Sequence, residues 1–109
     1  MRISMIGAGY VGLVSGACLA DFGHEVTCVD SDAVRVALLN RGETPIYEPQ
    51  LSQVIASNVS EDRLRFTTDL KTSAANADAV FIAVGTPSRR GDGHADLSYV
   101  YAAAREVAD

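Results

Sequence analysis

The sequence predicts an α/β fold, a parallel sheet with helices packed on both faces. Three observations lead there. Short apolar runs of strand length alternate with longer helical patterns along the 109 residues. The first run, Arg2-Ile3-Ser4-Met5-Ile6, leads straight into the glycine triplet of Gly7-Ala8-Gly9-Tyr10-Val11-Gly12. The second, Glu25-Val26-Thr27-Cys28-Val29, ends on the acid Asp30. Glycines at GxGxxG spacing mean little alone. Between a strand and a helix, and followed about 20 residues on by an acid, they become specific.

Each element follows from its own signals. Strand one covers residues 2–6. The helix after it runs over residues 10–22 and stops at Gly23, a natural C-cap. Its stretch from Tyr10 to Ala20, rich in Gly, Ala and Val, reads as a buried helix. Strand two covers residues 25–29. Asp32 caps a short helix through Asn40, which Gly42 closes, with Val34, Ala37 and Leu38 on its apolar face. Pro45 and Pro49 exclude a regular element from Glu43-Thr44-Pro45-Ile46-Tyr47-Glu48-Pro49. A helix over residues 50–58 follows, using Leu51, Val54 and Ile55.

Strand three is short, residues 64–67, and Thr68 or Asp69 caps a helix through Ala75. Strand four, residues 79–84, is apolar throughout, as a strand buried on both faces of a parallel sheet should be. A loop rich in Gly, Arg and Asp covers residues 85–96, and a last helix covers 97–108. Right-handed crossovers place the strands in the order 3-2-1-4. This is a Rossmann-like sheet, incomplete relative to a full dinucleotide-binding domain. One domain, residues 1–109, accounts for the whole chain.

The glycine motif has a chemical reading. Gly7 makes the tight turn off the strand, Gly9 lets the backbone approach a pyrophosphate, and Gly12 lets the helix pack closely. The amides of Tyr10 and Val11, at the positive end of the helix dipole, point at the phosphates. Asp30 accepts hydrogen bonds from the adenosine ribose and repels a 2′-phosphate, so NAD is expected as cofactor in preference to NADP. Arg35, one helical turn beyond, could accommodate a 2′-phosphate, stack on the adenine or contact the ribose. Ligands of such sheets sit where the strand order reverses, here between strands one and four. Thr86, at the end of strand four, therefore lies over the same cleft with a hydroxyl for phosphate or ribose. Ordinary turn chemistry before Pro87 is the alternative for it.

Bulk properties remove other classes. A formal net charge of −5 argues against nucleic acid as a partner. No apolar run reaches a membrane span, and Met1 leads directly into a core strand, so a cytoplasmic protein is expected. Cys18 and Cys28 read as small reduced core residues. His24 and His94 are too isolated for a metal site or a triad, and no catalytic constellation is visible. Arg89, Arg90 and Asp92 read as a solvated loop.

Taken in order, Val29-Asp30, Pro45-Ile46-Tyr47-Glu48-Pro49, Val84-Gly85-Thr86-Pro87 and Asp96-Leu97-Ser98-Tyr99-Val100 resemble the UDP-glucose/GDP-mannose dehydrogenase family across essentially the whole chain. Gly7-Ala8-Gly9-Tyr10-Val11-Gly12-Leu13-Val14 and Ile46-Tyr47-Glu48-Pro49 are most similar to its UDP-glucose-oxidising branch. The resemblance implies Tyr10 and Val11 amides on the pyrophosphate, Asp30 on the ribose, Arg35 on the ribose or adenine side, and Thr86 on the cofactor. One departure is Gln50-Leu51, where the family usually has Gly-Leu, which puts the local loop geometry in question.

The implied chemistry is a four-electron oxidation. Two NAD molecules in succession turn a sugar nucleotide's C6 alcohol into a carboxylate, by way of an aldehyde held as a thiohemiacetal. The family's cysteine nucleophile and its helpers lie far downstream of this region, and neither Cys18 nor Cys28 matches it. The chain is thus expected to be the amino-terminal, NAD-holding part of a longer enzyme, inactive alone. UDP-glucose would be met by a downstream domain, and the full enzyme would be a homo-oligomer. A self-standing NAD-binding or sensor module, and a dehydrogenase for GDP-mannose or another UDP-sugar, are the alternatives. A hydroxyacyl-CoA or phosphogluconate type is opposed by the Pro45-to-Pro49 segment and by Gly85-Thr86-Pro87.

Overall fold

β1 (Arg2–Ile6) lies inside the sheet because both of its faces are apolar or satisfied: Ile3, Ser4, Met5 and Ile6 are all buried. It pairs in parallel with β2 (Glu25–Val29) on one side and β4 (Ala79–Ile82) on the other, with Ile3 opposite Val26 and Ala79. β3 (Leu64–Thr67) pairs with β2, which gives the order β3-β2-β1-β4 in the computed structural model. The expected order stands. The structure describes residues 1–44, 49–84 and 98–108. The expectations for Pro45 to Glu48 and for residues 85–97 lie outside them.

Side chains alternate across the sheet. Ile3, Met5, Val26, Cys28, Leu64 and Phe66 point to one face, where α1 (Tyr10–Asp21), α2 (Ala33–Asn40) and α3 (Pro49–Ser60) cover them. Leu13, Leu39 and Ile55 reach into this core and are fully buried. Each contributes about 1.5–3 kcal/mol of apolar burial. The opposite face carries α4 (Leu70–Ala75) and α5 (Ser98–Ala108). Its core is smaller, built on Ile6, Val29 and Ala103, and Ser4 there meets Ser73 of α4 through hydroxyls 2.7 Å apart.

Helix ends follow capping chemistry. Asp32 accepts from the N–H groups of Val34 and Arg35, and Asp69 from that of Thr72, which makes Asp69 rather than Thr68 the cap of α4. The Thr72 hydroxyl and N–H hold the Asp69 carboxyl below its ordinary range. Three helices end in the same paired motif, with the N–H of one residue reaching back three and the next reaching back five. In α1 these are Gly23 to Ala20 and His24 to Leu19; in α2, Gly42 to Leu39 and Glu43 to Leu38. In α3 they are Asp62 to Val59 and Arg63 to Asn58, and Asp62 takes the left-handed backbone, φ 61°, that glycine takes in the other two.

Several expectations are corrected. α1 stops at Asp21, with Phe22 as an exposed C-cap, and it is not buried all round. Its buried stripe is Gly12, Leu13, Gly16, Ala17 and Ala20, so Cys18 is exposed; Cys28 alone is the core cysteine. α2 buries Val36 and Leu39, whereas Val34 is 78% exposed. Nearly every residue of Ala-Val-Arg-Val-Ala-Leu-Leu is apolar, so spacing alone permits several faces. The choice is made by tertiary bonds: the Asn40 amide donates to the Phe66 carbonyl and accepts from the Phe66 N–H, at 2.9 and 3.1 Å. β4 is shorter than expected and is not buried on both faces, with Phe81 47% and Ile82 38% exposed. Its apolar run is a property of the strand; its cover depends on neighbours, and it stands at the end of the four-stranded sheet.

α3 begins one residue earlier than expected and runs two residues further, to Ser60, with Leu51 and Ile55 buried as the pattern implies. Its carboxyl end is fixed by the buried Asn58. This amide donates to Asp21 and to the Val54 carbonyl, and accepts from Arg63 Nε at 2.9 Å. It thereby ties together the ends of α1 and α3 and the start of β3.

Candidate functional site

The carboxyl ends of β1, β2 and β4 open on a cleft of about 470 Å³, at the point where the strand order reverses. Gly7, Ala8 and Gly9 form its floor, Asp30 and Arg35 one side, and Ala83 the other. A second groove, about 290 Å³, lies between α4 and the β2–β3 end of the sheet and does not touch the glycine loop.

The loop's shape comes from its glycines. Gly7 has φ +108°, and a Cβ there would lie 2.7 Å from the Ala83 carbonyl oxygen. Its N–H bonds to the Val29 carbonyl at 2.7 Å, which fixes the turn to the end of β2. A Cβ on Gly12 would overlap the Gly7 carbonyl oxygen, so Gly12 fits the helix to the loop itself. Close contact with the sheet falls instead to Gly16, where a Cβ would sit 2.8 Å from Cys28 Sγ. Sequence reasoning did not single out Gly16, although it stands one turn beyond Gly12 on the same helical face. Gly9 differs from these three. A Cβ there would meet nothing within 4 Å, so no internal packing demands glycine, and the space above it is open.

Gly9 is also the N-cap of α1 and carries no side chain to accept from the first turn. The first N–H groups of a helix have no partner within it, so those of Tyr10 and Val11 are donors at the positive end of the dipole. Both residues are exposed. The structure thus places Gly7, Gly9, Tyr10, Val11 and Gly12 in one loop-to-helix junction.

Asp30 lies beside that loop. Its Oδ2 accepts from the Ala8 N–H at 3.1 Å and lies 3.4 Å from Arg35 Nη1; its Oδ1 accepts from the Asp32 N–H at 2.9 Å. The carboxylate is 13% exposed and the Arg35 side chain 38%. The bond to Ala8 has no signal in the sequence, since it joins residues 22 positions apart through a main-chain donor. Thr86 is outside the described residues. Just past β4, Ala83 and Val84 reach the cleft, and α5 adds Ala102 and Ala103.

The UDP-glucose/GDP-mannose dehydrogenase family model for the NAD-binding domain matches residues 1–109. The chain belongs to this family. As a family member it is 68% identical over 108 residues to the UDP-glucose 6-dehydrogenase of Rhizobium meliloti (strain 1021), covering 99% of this chain and 25% of that protein. It is 52% identical over 107 residues to the UDP-glucose 6-dehydrogenase of Pseudomonas aeruginosa, covering 98% of this chain and 23% of that one. Among solved structures, GDP-mannose dehydrogenase from Pseudomonas aeruginosa superposes with TM-score 0.93 at 43% identity, over 98% of this chain and 24% of that one. A UDP-glucose dehydrogenase from Pyrobaculum islandicum gives TM-score 0.90 at 44% identity, over 96% of this chain and 24% of that one. The chain spans about a quarter of the length of the curated relatives it matches.

The residues present fit the family's cofactor. An open space over Gly9, uncapped amides at the start of α1 and a carboxylate beside them match the pyrophosphate and ribose of a dinucleotide.

Proposed function

We propose that the cleft holds the adenosine and pyrophosphate half of NAD, in an enzyme that oxidises UDP-glucose to UDP-glucuronate with two NAD and one water per turnover. The observation that carries this reading is the convergence of the α1 amide end and the Asp30 carboxylate on one cleft. Tyr10 and Val11 donate main-chain N–H groups to the pyrophosphate, Gly7 and Gly12 set the turn, and Gly9 leaves room above it. Thr86, four positions beyond β4 in the sequence, is proposed as a further hydroxyl contact to the cofactor. NAD, when bound, supplies the hydride acceptor; the residues here bind and orient it.

Asp30 takes the adenosine ribose. A carboxylate has about four lone-pair sites. Two main-chain N–H groups and Arg35 use three, whereas a ribose diol brings two donors. Arg35 has the longest contact and a partly exposed side chain, so it is the partner that gives way and turns to the adenine or ribose edge.

The proposed whole is a domain of a longer homo-oligomeric enzyme in the cytoplasm, with the sugar nucleotide bound outside residues 1–109. The names of the curated relatives, UDP-glucose 6-dehydrogenases, support UDP-glucose. GDP-mannose is the second reading, supported by the 0.93 TM-score to a GDP-mannose dehydrogenase. The test is NADH absorbance on mixing the intact protein with NAD and each sugar nucleotide in turn. NADH with UDP-glucose alone is the expected result; NADH with GDP-mannose alone selects the second reading, and none with any sugar nucleotide rejects both.

A further inference from the structure

We infer that Asp30 is a positioning residue for the pyrophosphate loop as well as a ribose acceptor, acting through the Ala8 N–H. This inference rests on the NAD reading above. The Asp30 carboxylate spans from the end of β2 to the glycine loop, with Oδ2 3.1 Å from the Ala8 nitrogen. Its other oxygen is held by the Asp32 N–H at 2.9 Å, and Asp32 itself caps α2, so the carboxylate is anchored from behind. It is nearly buried, at 13% exposure, where a bond to a charged acceptor resists competition from water.

The geometry of the loop explains what this bond does. Gly7 is pinned to β2 by its own N–H, and Leu13 begins the helical ladder by bonding the Gly9 carbonyl at 2.9 Å. Ala8 sits between these two fixed points, flanked by glycines with wide backbone freedom. The Asp30–Ala8 bond restrains that interval and with it the approach of the main chain to the phosphates. Ribose recognition and pyrophosphate recognition thereby share one carboxylate.

The experiment separates the two roles with a ligand that has no ribose diol. Binding of NAD and of 2′,3′-dideoxy-ADP to the intact protein is measured by calorimetry for wild type, Asp30→Ala and Asp30→Asn. Amide exchange of Ala8 and Gly7 is followed by NMR in the ligand-free state. We expect Asp30→Ala to weaken dideoxy-ADP by about tenfold, the scale of a lost charge-assisted bond. The Ala8 amide should then lose protection while Gly7, bonded to Val29, keeps it. Asp30→Asn retains a side-chain oxygen facing Ala8 and should stay within about threefold of wild type for dideoxy-ADP, on the scale of a neutral bond replacing a charged one.

Equal affinity of wild type and Asp30→Ala for dideoxy-ADP overturns the inference and leaves the NAD site standing. So does equal weakening of that ligand by Asn and Ala, or joint loss of Ala8 and Gly7 protection, which would mean general loosening. Failure of wild type to bind NAD rejects the underlying reading instead.

Discussion

Gly12 stands directly over the main chain of Gly7: a Cβ on Gly12 would overlap the Gly7 carbonyl oxygen and reach within 3.4 Å of the Ala83 methyl. Gly9, three residues earlier, faces open space. Two glycines of one motif therefore do different jobs, and substitution should separate them. Gly12→Ala must move the helix off the loop, and we expect a loss of about 1–3 kcal/mol in denaturant unfolding. Gly9→Val should keep stability within about 1 kcal/mol, the scale of an N-cap change, yet abolish NAD binding by calorimetry. A Gly9→Val variant that binds NAD normally would remove the pyrophosphate from this loop.

Asp30 and Arg35 together set the choice between NAD and NADP in this reading. Asp30→Ala should weaken NAD by about ten- to a hundredfold, the range of a lost bond to a charged acceptor. It should also relax discrimination against NADP, because the freed guanidinium can meet a 2′-phosphate. Adding Arg35→Ala should cancel that relaxation. Dissociation constants for both cofactors across the two single variants and the double variant check this. NADP binding that ignores Arg35 would show that the guanidinium plays no part.

The contact between Gly16 and Cys28 invites a double-mutant cycle. A methyl at Gly16 would lie 2.8 Å from the buried sulfur, so Gly16→Ala should cost about 1–3 kcal/mol. Removing the sulfur by Cys28→Ala should restore much of that loss in the double variant, giving a coupling energy of opposite sign to the single effects. Thermal unfolding of the four proteins is the measurement. Simple additivity would mean that the helix yields without pressing on Cys28.

Asp62 occupies the left-handed position that Gly23 and Gly42 fill at the ends of the other two helices. Replacing it with glycine removes the steric cost of a Cβ in that conformation, partly offset by the greater freedom of glycine in the unfolded chain. Asp62→Gly should gain up to about 1 kcal/mol in denaturant unfolding, with cofactor affinity unchanged.

Stability should fall at both ends of the pH scale, for opposite reasons. Burial first, and the Asp30 charge second, push the Cys28 thiol up from 9.0 to about 12. The unfolded chain therefore loses this proton first, and the contribution of the neutral thiol, fully present below pH 9, is lost as pH rises towards 12. On the acid side the Asp69 carboxyl is held low by the Thr72 hydroxyl and N–H, and that of Asp78 chiefly by the Arg2 N–H. Their contribution is present above the ordinary carboxylate pKa and is lost as pH falls through the lowered values. Unfolding midpoints from pH 2 to 12 test this. Cys28→Ala should flatten the alkaline limb.

What could be read in the sequence was local. Asp32 as a cap, Gly23 and Gly42 as helix stops, the glycine turn and the strand order all follow from chemistry within a few residues, together with the handedness of crossovers. What could not be read depends on distant partners. Val34 and Val36 are indistinguishable by spacing in an almost wholly apolar helix until Asn40 meets Phe66. The apolar run of β4 cannot report what lies beside it. Cys18 and Cys28 look alike as residue types, yet one falls off the buried stripe of α1 and the other sits beneath it. Among the site residues, the positions of Gly7, Gly9, Gly12 and Asp30 were legible, whereas the Asp30–Ala8 bond was not.

The Asn40–Phe66 pairing has a wider consequence. β3 is an outer strand of the sheet, and an outer strand with free main-chain groups can recruit a strand from another molecule. The carboxamide of Asn40 imitates a peptide group, engaging both the N–H and the carbonyl of Phe66 midway along a strand of four residues. An intruding chain would find that rung taken. One side chain at the end of α2 thus acts as a stopper against self-templated growth along this border of the sheet.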